Sequence, residues 1–471
     1  MSVSGFLVIL ILSIAALMFL IVKANMHPVI ALLLVAFVSG IALGFAPLEA
    51  IELINGGFAG TLKGVGIPII LGAVLAMGVQ DTGAAKAIGN FFIKLFRGKN
   101  LELAPSLTAF IVSIPVFGDI TMVLTSNIAS VLSRRKGISM STMATFTGLG
   151  LFLTHAMVPP TPGILAISIL LGADLGMVIL VGILVTFIAF IASWLLLRRW
   201  TEKEMIEPNP DFVKNIEPAK SGNVEDLLID SEGLPGALES FMALLIPVVL
   251  IAAASFANMY LHEGNVIREV LAVLGDKVVA LSLAVIYTMF LGLKNKKSVI
   301  AINNEATGKD MKSMKDILLN SWVARGLEVA LSALLITAMG GAFGEVIKSA
   351  PVIEQLGPLV AKLSIPGILI PWAIGSIMMT AVGSMTTAGM TAAAIVLPMM
   401  PSLGISPLAA TLAIGAGTLM LDHINNSGFW VMSQFFNLNT QQGLKYITIP
   451  GVVASVISMI ALLVLTTVGI I

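Results

Sequence analysis

Charge is what this chain has least of. Asp, Glu, Lys and Arg make up 11% of the sequence, against 57% hydrophobic residues and a mean hydropathy of +1.02. A soluble domain carries about 25% charged residues, so there are too few charges here to clothe a water-facing surface. The composition is that of a polytopic membrane protein. The 26 basic and 26 acidic residues cancel, which leaves no net positive field to draw in a nucleic acid. Cysteine is absent, and with it disulfides, thiolate metal sites and cysteine nucleophiles. With only four histidines besides, neither a structural metal nor a cofactor is expected. Signatures of catalysis are missing too: there is no HExxH, GxSxG or kinase motif, and GGFAGTLKGVG lacks the GK[ST] ending and preceding strand of a phosphate-binding loop. An enzyme is therefore not expected. The opening MSVSGFLVILILSIAALMFLIVK has no positive n-region and no small-residue cleavage site, so it reads as a first span rather than a removable signal.

What is present is a succession of long apolar runs. A helical span needs about 20 such residues. Candidates are Phe6–Val22, Pro28–Phe45, Gly64–Gly83, Met143–Leu171, Val178–Leu197, Leu238–Met259, Val278–Leu293, Val323–Val346, Pro407–Phe435 and Ile447–Ile470. Leu107–Leu132 and Ile368–Met400 are broken near the middle, at SIPVFGDIT and AVGSMTTAG, and each half is too short to cross alone. They are predicted to be re-entrant hairpins, over about 103–134 and 366–400. Two further runs are interrupted, giving broken helices over about 142–172 and 405–436. The polar stretch 201–235 divides the chain into halves with the same order of elements, 1–200 and 236–471, and is predicted to be a solvated cytoplasmic linker. The polar segment Lys294–Asn320 is read in the same way. Five crossings per half is an odd number, so the second half is expected to enter the membrane inverted. The expected fold class is all-α: two inverted repeats, each of about five transmembrane helices and one re-entrant hairpin, with helices broken at the midplane.

The basic residues orient this topology. With the N-terminus and C-terminus both outside, Lys86, Lys94, Arg97, Lys99, Arg134, Arg135, Lys136, Arg198, Arg199, Lys203, Lys294, Lys296, Lys297 and Lys445 fall inside. Only Arg268, Lys277, Lys348 and Lys362 fall clearly outside, as the positive-inside rule requires.

The breaks are where chemistry can reside. A helix interrupted in mid-membrane exposes free N–H groups at the start of one half and free carbonyls at the end of the other. The N-terminal end carries partial positive charge and suits an anion such as a carboxylate. In THAMVPPTPG, the prolines at 159, 160 and 162 remove donors and stop the helix ladder. The candidates for substrate contact there are Thr154, His155, Pro160, Thr161 and Gly163. In LDHINNSGF they are Asn425, Asn426, Ser427 and Gly428, and at the second hairpin tip Ser384, Thr386 and Thr387. Tight packing through small residues is the competing reading of GSMTTAG. Groups able to carry a coupling charge are few. Asp119 at the first hairpin tip leads, with His155, Asp422 and His423 beside it; a cap at Asp119, a satisfied buried His155 and a local Asp422–His423 pair are the structural alternatives. Arg325, Glu328 and Glu345 read as snorkelling or helix-end pairing. Paired interruptions in two inverted halves point to the site of a secondary transporter.

Several of these motifs, IPVFGD, HAMVPPTPG, GSMTTAGMTAAAIVLP, AIGAG, DHINNSGFW and NLNTQQGLK, follow one another in an order that resembles the gluconate permease family, the gluconate:proton symporters of the ion transporter superfamily. The resemblance runs from about Gly57 to the C-terminus. It implies import of gluconate or a related sugar acid or hydroxy acid by proton symport in the inner membrane, and a homodimer embedded in lipid. Relatives include carriers of other small organic acids and of D-serine. The family pattern has PPHPGP where this chain has Thr161 and Ile164, HVNDSGF where it has Asn426, and FFD where it has Gly118 before Asp119. With a His and an Asp missing, a smaller acid such as glycerate, or coupling to sodium, is compatible with the resemblance. A cation/proton antiporter of the same superfamily and a channel are the rival readings.

Overall fold

The computed structural model describes residues 2–24, 26–213, 224–229, 233–352, 365–423 and 426–471. Among them every regular element is helical. The first half contains α1 (Val3–Met18), α2 (Pro28–Ala42), α3 (Pro47–Asp81), α4 (Ala84–Phe96), α5 (Leu103–Val112), α6 (Gly118–Lys136), α7 (Met140–Met157), α8 (Pro162–Leu171) and α9 (Leu175–Thr201). The second contains α10 (Ala237–Tyr260), α11 (Val266–Leu274), α12 (Lys277–Lys294), α13 (Lys296–Thr307), α14 (Trp322–Lys348), α15 (Leu369–Val382), α16 (Met385–Val396), α17 (Pro407–Gly417), α18 (Ser427–Phe435) and α19 (Ile449–Thr467). Eight helices of the described residues are long and apolar enough to cross a membrane, and the chain is a multi-pass integral membrane protein. The expected interruptions fall at 113–117 between α5 and α6, at 158–161 between α7 and α8, at 383–384 between α15 and α16, and after the end of α17 at Gly417, before α18 starts at Ser427.

Two long helices form the frame. α3 and α14 pack along each other and run antiparallel: Asp81 at the end of α3 meets Arg325 near the start of α14, while Gly57 early in α3 meets Gly341 late in α14. The packing is exchanged between halves, since α2 lies on α14 and α12 lies on α3. At the Gly57–Gly341 crossing the backbones are nearly touching. A Cβ added to Gly57 would stand 2.6 Å from the Gly341 carbonyl oxygen and 2.9 Å from the Ala342 Cα. This explains why α3 is much longer than the predicted span Gly64–Gly83. The glycines and charges of IELINGGFAGTLKG resemble a loop in isolation, but they build a helix face that only small residues allow another helix to approach.

Arg325 does pair at a helix end. Its guanidinium lies 2.8 Å from Asp81 Oδ2, which also accepts from the Trp322 indole N–H at 2.8 Å. Glu345 sits 4.0 Å from Lys348 one turn on, and Glu328 is exposed.

Against this frame stand the hairpins and broken helices, backed by α9 and α19. Each hairpin's first helix packs on the first half of the broken helix that follows it, α5 on α7 and α15 on α17. Glycine again sets the distance: a Cβ on Gly150 would meet the Ser106 carbonyl at 2.1 Å, and one on Gly417 the Trp372 carbonyl at 2.4 Å. The second helices cross between halves, with α16 against α8 and α6 against α18.

The expectation of a solvated linker over 201–235 is corrected in its described parts, which are docked. Ile206, Leu227 and Ile229 are buried. Asn90 of α4 brackets Ile229, donating to its carbonyl at 3.0 Å and accepting from its N–H at 2.9 Å, while Arg135 of α6 donates to the Leu228 carbonyl at 2.7 Å. Glu204 accepts from Gln442, Lys445 and Tyr446 at 2.8, 2.7 and 2.7 Å. The apolar residues scattered among the charges of this stretch supply the burial that a fully solvated tether would not need. Lys294–Asn320 is likewise largely helical rather than a linker, with Asn303 of α13 buried and accepting from Ser321 at 2.6 Å. Lys362 lies outside the described residues.

Two outcomes are expected. Gly57→Ala destabilises the purified protein by about 1–3 kcal/mol through overpacking, read as a lower melting temperature in detergent. Gly56→Ala, where an added Cβ meets nothing within 4 Å, does not. The three donors on Glu204, Lys445 first, hold its carboxyl down at about 2. A carboxyl lowered from its ordinary ~4.3 contributes stability above that value and loses it as pH falls toward 2. Glu204→Gln therefore melts lower than the parent at pH 7, and the gap between the two curves closes below about pH 4.

Candidate functional site

At the first interruption α7 ends where Val158 turns to extended backbone, and α8 restarts with Pro162 in its first turn. Four consecutive non-helical residues would strand the carbonyls at the end of α7. Thr161 takes them up, its hydroxyl lying 3.0 Å from the His155 oxygen and 3.1 Å from the Val158 oxygen. Thr161 is thus fully buried and committed to the break itself. Thr154 is also fully buried, donating to the Phe110 carbonyl at 2.8 Å and bonded to Ser113, so it ties α7 to the first hairpin. Pro160 is buried between them.

At the second interruption Asn426 does the joining. Its Oδ1 accepts from the Gly428 N–H at 2.8 Å and caps α18, while its Nδ2 donates to Asp422 Oδ1 at 2.6 Å. Asp422 is 2% exposed, and its Oδ2 is buried without a hydrogen-bond partner among the described residues. His423 reaches back to the hairpin, its Nε2 lying 3.1 Å from the Thr380 carbonyl. Asn425 lies outside the described residues, as do the side chains of Asp119 and Ser427.

At the second hairpin tip Gly383 adopts φ +69°, a left-handed turn that suits a residue without a Cβ. Ser384 then caps α16 by accepting from the Thr387 N–H at 3.4 Å, and its hydroxyl is 3.1 Å from that of Thr387. Thr387 is fully buried by this arrangement.

The four interruptions open on one cavity of about 280 Å³. Phe117 and Gly118 come from the first hairpin, His155 and Pro162 from the first broken helix, Ser384, Met385 and Thr386 from the second hairpin, and Asn426 and Gly428 from the second broken helix. A narrow space of about 10 Å³ behind it is bordered by His155, Gly163, Thr386 and Thr418. His155 therefore faces both spaces, and its Nδ1 is buried without a partner among the described residues. Of the sequence candidates, His155, Ser384, Thr386, Asn426 and Gly428 line the main cavity and Gly163 the narrow one. Thr154, Pro160, Thr161, Thr387, Asp422 and His423 support the walls without lining either.

The lining residues share a feature. Phe117 and Gly118, Pro162, Ser384 to Thr386, and Asn426 with Gly428 stand at the starts of α6, α8, α16 and α18. Four helix N-termini thus point their partial positive charge into one small space. α6 and α8 begin with no side-chain cap; α6 leaves its first N–H groups for a ligand, while Pro162 brings none and the first N–H of α8 is that of Gly163, beside the narrow space. No lysine or arginine lines the cavity among the described residues. The arrangement can hold a small anion by peptide dipoles and N–H groups alone. The volume lies just under the ~300–1,000 Å³ of drug-sized ligand sites.

One wall was not found in the sequence. Val329, Ser332, Ala333 and Ile336 of α14 form one wall of the cavity. Their spacing of three, four and seven residues marks one helix face. Nothing in that stretch is interrupted or charged, so it reads as ordinary span; Ser332 is its one polar mark.

Comparison with known proteins matches residues 6–468 to the model of the GntP family permease. The chain is 28% identical to the high-affinity gluconate transporter of Escherichia coli, over 98% of this chain and 99% of that one. It is 29% identical to a gluconate permease of Pseudomonas aeruginosa, covering 97% and 96%, and 28% identical to the D-serine transporter of Escherichia coli, covering 96% of each. Its fold is similar to that of the YdaH transporter of Alcanivorax borkumensis, with a TM-score of 0.59 at 15% identity over 94% of this chain and 99% of that one.

Asn426→Ala removes the cap of α18 and the one donor to Asp422 together. It is expected to cost about 1–3 kcal/mol of stability, the range for orphaning a buried polar group, measured by thermal unfolding. An unchanged melting temperature would show that neither bond contributes.

Proposed function

The chain belongs to the GntP family of permeases, and on that premise we propose that it is a secondary active transporter importing a small sugar acid or hydroxy acid anion by proton symport across the inner membrane. The observation that carries this reading is the meeting of four helix N-termini around one cavity. Such a site attracts a carboxylate without a fixed cationic side chain, so the bound anion is not locked to a permanent partner charge. Relatives named for gluconate, L-idonate and D-serine all take small molecules bearing a carboxylate.

In this reading the two halves, 1–200 and 236–471, are inverted repeats joined by the cytoplasmic segment 201–235, both termini lie outside, and the protein works as a homodimer. The antiparallel course of α3 and α14 supports the inversion. Alternating access then moves the hairpins and broken helices against the frame formed by α3 and α14, since the cavity lies between these two groups. Backbone N–H groups at the tips hold the carboxylate. His155, Ser384, Thr386 and Gly428 contact the rest of the substrate, with Gly163 permitting close approach behind.

Asp422, with Asp119 at the hairpin tip, carries the coupling charge. A carboxylate buried with a single amide donor needs a counter-charge, and a proton supplies it without a vacant cation cage. Asn426 links that carboxylate to the cap of α18, so loading Asp422 and ordering the cavity are connected through one side chain.

The test is counterflow and driven uptake of labelled hydroxy acids in proteoliposomes. Exchange without a gradient, and accumulation under an inward proton gradient that collapses with a protonophore, are expected. Sodium dependence in place of pH dependence would replace the proton; absence of any organic acid exchange would favour an antiporter. Asp422→Asn is expected to keep exchange while lowering proton-driven accumulation at least about ten-fold, a change in coupling free energy near 1.4 kcal/mol. Full accumulation by the variant would remove Asp422 from the coupling role.

A further inference from the structure

The cavity has two unlike sides. The polar side is built from helix N-termini with His155, Ser384 and Thr386. The other is α14, where Val329, Ala333 and Ile336 present alkyl groups and Ser332 the one hydroxyl. Phe117, Met122, Leu151 and Phe152 extend the apolar lining around the rim.

The polar side also has less to offer than its residue types suggest. Both side-chain atoms of Asn426 are engaged, with Asp422 and with the Gly428 N–H. The Ser384 hydroxyl is shared with Thr387. A sugar acid carries a hydroxyl on nearly every carbon, and closing it in this cavity would lay several of them on the alkyl face of α14. Buried hydroxyls without partners are strongly disfavoured, whereas an alkyl group on the same wall is favoured.

We infer that the transported acid is amphipathic: a carboxylate with a neighbouring hydroxyl at the helix N-termini, and a short alkyl part against α14. This rests on the reading that the cavity is the substrate site, and it makes α14 the wall that sets specificity. The carboxylate takes the helix dipoles at the starts of α6 and α8 and the free N–H groups of α6, the hydroxyl takes Thr386 or His155, and the alkyl part fills the space beside Val329, Ala333 and Ile336.

Pairs of equal carbon number test it in counterflow with the intact chain: lactate against glycerate, and α-hydroxybutyrate against erythronate, with gluconate as the fully hydroxylated reference. The alkyl member of each pair is expected to exchange better, by about ten-fold, the scale on which an apolar pocket separates close analogues. Ile336→Thr and Ala333→Ser, each adding a hydroxyl to the α14 wall, are expected to narrow that ratio several-fold. Two variants are used so that a folding defect in one does not decide the matter. Better exchange of erythronate or gluconate by the parent chain would overturn the inference and leave carboxylate transport standing. An unchanged ratio in both variants would overturn the role of α14. Failure of every acid in both series to exchange would overturn the transport reading and this inference together.

Discussion

A backbone that leaves the helix inside a bilayer must find partners for every N–H and carbonyl it frees, because hydrocarbon offers none. The rest of this structure follows from how four such departures are settled. Thr161 absorbs two carbonyls at the first break. Asn426 and Ser384 cap the helices that restart beyond the second break and the second hairpin tip. Ser113 donates to the Leu151 carbonyl at 3.1 Å and so closes the first hairpin onto α7. What the interruptions then present to the shared cavity is the starts of four helices. The anion preference proposed for the site thus grows out of the same accounting that lets the interruptions exist.

The frame makes that accounting possible. Gly57 and Gly341 bring α3 and α14 within backbone contact, and Asp81, Arg325 and Trp322 tie the opposite end. Two anchor points at opposite ends of one antiparallel pair resist both sliding and splaying. The hairpins are held differently. They are bound to the broken helices by glycine contacts and capping hydroxyls, and meet the frame through the α14 face, α8 and the contact of α6 with α3. The docked segment around Leu228 and Ile229 adds a tie between α4 and α6. The division between a clamped pair and a separately bonded set of short helices is the boundary along which the proposed alternating access would work.

The architecture was legible in the sequence to the extent that it depends on punctuation. Proline, glycine and Asx residues inside apolar runs located all four interruptions within a few residues, because nothing else explains such residues at membrane depth. The site was legible only by address. Thr154 and Thr161 stand at the break as expected, but their hydroxyls serve the backbone, and sequence alone cannot tell a hydroxyl that faces a cavity from one that repairs a carbonyl. α14 was invisible as a wall because a helix face needs no special residue to border a cavity; it needs only to be opposite one. Asp81 was passed over for a similar reason. It sits beside Thr82 and Gly83 and looks like a loop residue until α14 brings Arg325 to it. The docked linker failed a composition argument, since its few apolar residues count for more than its many charges once a surface is present to receive them.

Asp81 and Asp422 are both buried carboxylates, and the difference between them bears on mechanism. Asp81 has a guanidinium and an indole N–H at 2.8 Å, so its charge is matched and its position fixed by residues of the frame. Asp422 has one amide, and no cationic side chain neutralises it among the described residues. Separating a buried ion pair is expensive, so the Asp81 pair can hold two helices together but is poorly suited to change state during a cycle. A carboxylate with a single neutral donor has the opposite character, because it can accept a mobile charge and give it up. Its donor is the same Asn426 that caps α18, and the start of α18 is part of the cavity. In the proposed transport cycle, a charge arriving at Asp422 changes its hold on Asn426, which bears on the helix end assigned to the substrate anion. Coupling between ion and anion can then pass through a distance of one side chain, without a long relay.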